Sequence, residues 1–416
     1  MGSIPSAGSM NRKLGILIRF FLIIVFLFFV SHLFSNKQKS PLVDNPYNLR
    51  FLIPPETEGD YIKSQMNTCW KNNSNGCREQ LAEILMEQFE YKKLLRLIEE
   101  NQSAPEVFSK CHELVHYLGR NAYADTPDIK SLYEYSAPTC WGGFYHGVIE
   151  GYFDKNPYRG DEEFAEDIRK VCGIISDYSV PHFFSECTHG IGHAMMFVSS
   201  GDLLKSLTWC DKLPTLETRS MCYGGVFMEN SSSSTVNSMH TSEFIKEGDP
   251  MYPCNSLPEQ YLNICYSYQS SYFAQLVNSD WKKNGDLCSQ VPSAYHEGCF
   301  RVIGSNQVGF TKVPKDMGTN CGFMPTEKTK KFCFYGVISG LAGRYINEPE
   351  MLIEFCSNLE EKYREDCFTA IGSSMRVWSS DKRPLQTFCE TSNKKYTYWC
   401  EKGLNSTFST SPFITN

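Results

Sequence analysis

Eighteen cysteines, all between Cys69 and Cys400, constrain this chain more than any other feature. From Cys172 onward the gaps between them alternate, short then long. The short gaps are Cys172–Cys187, Cys210–Cys222, Cys254–Cys265, Cys288–Cys299, Cys321–Cys333, Cys356–Cys367 and Cys389–Cys400, most of them 11 or 12 residues. The second member of the later pairs recurs at Cys265, Cys299, Cys333, Cys367 and Cys400, at intervals of 34, 34, 34 and 33 residues. So steady a period marks a chain built from stacked copies of one small unit. An even number of cysteines in such a pattern reads as a disulfide framework, and disulfides persist only in oxidising compartments. No C-x-x-C pair occurs, so the usual spacing of a structural zinc–thiolate site is missing.

The segments between the paired cysteines share one template. CNSLPEQYLNICYSYQ, CSQVPSAYHEGCFRVIG, CGFMPTEKTKKFCFYGVISG and CSNLEEKYREDCFTAIGSS each run from Cys through an apolar residue and a polar stretch to Cys-aromatic. Proline follows the first cysteine in most copies, and it cannot continue a helix. The template predicts a helix that ends near the first Cys and another that opens at the second. A disulfide would then tie the hairpin across its connection, closing a loop of about a dozen residues at a gain of about 3 kcal/mol.

A 34-residue unit of two helices resembles tetratricopeptide and Sel1-like repeats, the cysteine-rich Sel1-like proteins in particular. The resemblance covers about residues 172–400 and is architectural; the chain departs from the tetratricopeptide consensus. It implies an all-α fold of disulfide-stapled helical hairpins, forming an α-solenoid or a closed α/α toroid. The strings C-H-x-x-x-H, H-G-x-G-H and C-Y-G-G-V-F-M-E-N are also similar to those of an uncharacterised bacterial family, a likeness that implies no activity.

Residues 14–34 are apolar except for Arg19, Ser31 and His32. A helix of that length spans about 30 Å, the thickness of a bilayer core. It is expected as a transmembrane anchor, with a cleaved signal peptide as the alternative reading. Residues 1–13 then form a cytoplasmic tail and 35–60 a juxtamembrane linker. The helical chain from 61 onward lies outside the cytoplasm, divided into 61–171, the paired repeats 172–405 and a tail 406–416. Within 61–171, Gln80–Asn101 has the apolar spacing of one amphipathic helix. Cys69, Cys77, Cys111 and Cys140 have no evident pairing. Insertions near 151–165 and 230–245 are expected as loops. The net charge of −7, with no basic cluster beyond the N-terminus, gives no electrostatic support for nucleic-acid binding. The partners expected are the membrane, through the N-terminal helix, and a protein or small-molecule ligand of unknown identity.

Five of the nine histidines, His112, His116, His146, His189 and His193, fall in the strings CHELVHYLGR, CWGGFYHGVIEGY and CTHGIGHAMMF. His112/His116, His146/Glu150 and His189/His193 are each four apart and share a helix face. Paired helical ligands of this kind build many zinc, copper and iron sites. Counting six residues on from Cys140 and from the second cysteine of each short-gap pair gives His146 and His193, then Met228, then Ser271, Ser305, Ser339, Ser373 and Ser406. One slot of the repeat thus carries imidazole early and a hydroxyl late. The five histidines are candidate metal ligands, with Glu113, Glu150 and Glu229 as candidate proton-transfer groups and Glu186, flanking the same strings, as a further candidate ligand, ligand-orienting partner or general base. Polar packing is the bland alternative for each of them. Two functions follow: a metal-dependent hydrolase or oxidoreductase, or a non-enzymatic scaffold that binds a partner on its concave face.

Overall fold

Helices and turns make up the computed structural model, with no strand among the described residues. These are residues 58–406, apart from 73–74, 103, 109, 134–139, 141, 158, 174–180, 233–241, 247, 346–349, 379–385 and 391–393. The cytoplasmic tail, the membrane anchor, nearly all of the linker and all but the first residue of the C-terminal tail lie outside the described residues. No described helix is long and apolar enough to cross a membrane.

The described chain opens with α1 (Glu58–Asn72), α2 (Asn75–Gln88) and α3 (Tyr91–Asn101). The single helix expected over Gln80–Asn101 is therefore two. Glu90 takes an extended backbone and its carboxylate accepts from the Lys93 amide at 3.3 Å, capping a new helix rather than prolonging the old one. Leu94, Leu95 and Ile98 are buried, as the apolar spacing implies. Next come α4 (Pro105–Phe108), α5 (Cys111–Asp125), α6 (Ile129–Tyr133), α7 (Gly143–Lys155), α8 (Asp161–Gly173), α9 (Pro181–Val198), α10 (Leu203–Cys210) and α11 (Leu216–Ser232). The C-terminal part adds α12 (Glu259–Leu276), α13 (Trp281–Cys288), α14 (His296–Gln307), α15 (Pro314–Gly322), α16 (Glu327–Arg344), α17 (Glu350–Asn358), α18 (Glu361–Trp378) and α19 (Thr397–Leu404). The insertion expected as a loop over 151–165 is helical at both ends, in α7 and α8.

The longer helices stack in chain order. α2, α5, α7, α9, α11, α12, α14, α16, α18 and α19 each pack on the one before, while α13 packs on α15 and α15 on α17 in a second row. Four contacts of the main row are backbone to backbone. A Cβ on Gly147 of α7 would lie 2.0 Å from the His116 carbonyl oxygen of α5, and one on Gly225 of α11 would lie 2.1 Å from that of His189 on α9. Only glycine permits that approach. Glycines make the same contact between α14 and α16 and between α18 and α19.

Nine disulfides join all eighteen cysteines. Seven are the short-gap pairs of the repeat, and the other two are Cys69–Cys77 and Cys111–Cys140. The second cysteine of a pair does not open its helix. Cys222, Cys265, Cys299, Cys333 and Cys367 all lie inside theirs. The polar stretch before that cysteine already supplies the helix start. Thr326 forms a capping box with Thr329, and Glu259, Glu327 and Glu361 place negative charge in the first turn, where the helix dipole favours it.

Candidate metal centre

The centre is assembled from two glycine-locked helix pairs. In the first, α5 carries His112 and His116 and α7 carries His146 and Glu150. In the second, α9 carries His189 and His193 and α11 carries Glu229. Since α7 also packs on α9, His146 stands where the pairs meet. Its ring stacks on that of His193 with centroids 4.6 Å apart, and lies 5.6, 5.3 and 5.3 Å from those of His112, His116 and His189. Ligand atoms of His112, His116 and His146 lie within 4.8 Å of one another, as do those of His146, His189 and His193, and those of His116, Glu150 and His193.

The hydrogen bonds fix where the imidazole protons sit. His112 Nδ1 lies 2.7 Å from the Cys140 carbonyl oxygen, which can only accept, so Nδ1 carries the proton. His116 Nδ1 donates to Glu150 Oε1 at 2.8 Å, and Arg120 donates to the other carboxylate oxygen at 2.5 Å. The Nε2 atoms of His112 and His116, left with lone pairs, face each other at 3.1 Å. The second pair repeats this arrangement. His193 Nδ1 donates to Glu229 Oε1 at 2.5 Å, the His189 ring is bonded to the Met221 backbone, and the two Nε2 atoms again face each other at 3.1 Å. Two lone pairs at that distance repel unless a cation sits between them. His146 Nε2 lies 3.2 Å from Glu186 Oε2, and its buried Nδ1 has no hydrogen-bond partner.

The electrostatics keep four of these rings, His112, His146, His189 and His193, neutral and able to ligate. Burial, reinforced by the neighbouring imidazoles, pushes His146 down to about 3 and His189 to about 4, and holds His112 and His193 well below the ordinary histidine value. His116, His146 and His193 are each only 1% exposed, whereas His112 and His189 are partly open. The open side is therefore the one formed by His112 and His189. The ring of Tyr268, from α12, lies 6.2 Å from that of His189 on this side, and both stand against Gly224.

The candidate carboxylates divide by what they touch. Glu150 and Glu229 each hold a histidine by Nδ1. Glu113 instead pairs with the fully buried Arg78 of α2 at 2.6 Å, and burial raises it to about 7 against the pull of that guanidinium. The late-repeat slot has another use. Ser305, Ser373 and Ser406 turn their hydroxyls to carbonyls of their own helices, three residues back. His296 donates to the Val291 carbonyl at 2.7 Å, away from the centre.

Two residues at the centre, Arg120 and Tyr268, were not candidates from the sequence. Arg120 was within reach of the reading, being four residues after His116 on the same face. Its guanidinium also lies over the Tyr117 and Phe197 rings. Glu186 flanks the H-G-x-G-H string but reaches His146 only through the packing of α7 on α9. Tyr268 comes from a helix whose sequence carries no imidazole at all.

No protein-family model, no curated protein and no solved structure matches this chain. The ligand set speaks for itself. Neutral imidazoles suit zinc, copper and iron, and histidines held by carboxylates at the far nitrogen are the usual arrangement around such ions.

Proposed function

We propose that α5, α7 and α9 hold a histidine metal centre and that the chain is a metal-dependent enzyme, a hydrolase or an oxidoreductase. The observation that carries this reading is the pairing of lone-pair nitrogens, twice, at 3.1 Å inside a buried cluster. An ion there would activate water or dioxygen, with the partly open His112–His189 side as the approach for substrate. We place the centre in an α-solenoid curled towards a toroid, a shape supported by contact between α9 and α18. The nine disulfides support placing this part of the chain in an oxidising compartment, and the apolar run of residues 14–34 is the basis for proposing a membrane anchor.

A scaffold reading draws on the exposed Phe310, Val313 and Phe323, which offer apolar surface to a partner. One substitution separates the two. His193→Ser installs the hydroxyl of the late repeats and should lower metal content in a chain that folds normally, while Ser339→Ala in a late slot should leave it intact. Full metal content in folded His193→Ser would remove the centre and leave the scaffold.

A further inference from the structure

We infer that the centre is dinuclear, with one transition-metal ion on the His112–His116 pair and a second on the His189–His193 pair. This rests on the metal-centre reading above and goes beyond it in number and arrangement.

The half-sites are duplicates. Each is a helix pair locked by glycine, with H-x-x-x-H on the first helix and a glutamate on the second. In each, Nε2 faces Nε2 at 3.1 Å, the inner histidine donates from Nδ1 to its own carboxylate, and the outer one is tied to backbone. Duplication of the protein's repeat unit has thus duplicated a chelating unit, carboxylate included.

The nitrogens do not converge on one point. A tetrahedral ion with bonds of about 2.0–2.1 Å needs its nitrogens about 3.3 Å apart, and each pair meets that for itself. The converging all-histidine groups are two triads, each holding one H-x-x-x-H pair, with His146 common to both; no group of four lies within 4.8 Å among the described residues. One ion would therefore leave the other pair's lone pairs opposed. Two ions use both pairs, and His146 Nδ1, buried and without a hydrogen bond, is the nitrogen left for the space between them. Glu150 and Glu229 put one carboxylate behind each ion, so the charge of the pair is met on both sides.

The test counts ions. The full-length chain, stripped of metal, is titrated with cobalt(II) or zinc and its bound metal measured after gel filtration. Two ions per chain are expected. One ion would overturn the dinuclear arrangement while leaving the metal-centre reading standing, and none would overturn both. The double variants His112→Ser/His116→Ser and His189→Ser/His193→Ser should each bind one ion, with disulfides and helix content unchanged. A folded double variant that keeps two ions, or loses both, would overturn the assignment of one ion to each pair. If neither variant folds, the count for the unaltered chain still decides.

Discussion

At the residue scale the two kinds of glutamate give opposite expectations. Glu229 receives the Nδ1 proton of His193, so its charge makes Nε2 a better ligand. Glu229→Gln should weaken metal affinity by about 10- to 100-fold with little change in stability. Glu113 touches Arg78 instead, and Arg78 has no exposure to solvent. Glu113→Gln removes the carboxylate paired with a buried guanidinium and should cost about 3 kcal/mol while leaving metal affinity unchanged. Denaturant titration and a competitive chelator assay on both variants check the pair. Equal loss of affinity would mean that Glu113 also acts on the metal. The histidines were visible in the sequence because spacing by four forces two side chains onto one helix face. Which carboxylate served them was not, since Glu113 is next to His112 in sequence and Glu229 is 36 residues from His193. Only the packing of α11 on α9 decides that.

At the element scale the repeat was legible and its edges were not. Cysteine spacing revealed the hairpins because a disulfide demands fixed Cα separations, and a fixed unit repeats them. Helix starts were misplaced by a turn or more, because capping by Thr326 and acidic first turns act upstream of the cysteine that catches the eye. The pairing of Cys69 with Cys77 and of Cys111 with Cys140 departs from the repeat spacing, so periodicity carried no information about it. In the sequence the glycines beside the slot, among them Gly192, Gly225, Gly304, Gly336, Gly372 and Gly403, mark close helix packing, while their reciprocal contact within each pair is visible only in the structure. Gly147→Ala tests the lock at the centre. Its Cβ would meet the His116 carbonyl at 2.0 Å, so α5 and α7 must separate and carry the ligands apart. A stability loss of about 1–3 kcal/mol is expected, with metal affinity falling alongside it. Gly322→Ala, where an added Cβ meets nothing within 4 Å, should do neither. Thermal unfolding of both variants, with and without added metal, reads the difference. A stable, metal-replete Gly147→Ala would show that the close approach is incidental.

At the scale of the whole molecule, the chain is a disulfide-stapled stack of helices whose early members carry imidazoles and whose late members carry hydroxyls at one repeat position. The late slots are occupied by plain hydroxyls: Ser305, Ser373 and Ser406 donate to carbonyls of their own helices, and Ser271 accepts from Asn306 of the next helix in the row. Against that background, the five histidines, with their rings clustered around His146, are a local departure that the proposed metal centre explains. X-ray absorption spectroscopy of the metal-loaded chain tests this most directly, because it reports the ligand atoms themselves. A shell of imidazole nitrogens at about 2.0–2.1 Å, without sulfur, is the predicted result, since every cysteine is paired. A sulfur shell at about 2.3 Å, or oxygen ligands alone, would contradict a centre built from these histidines.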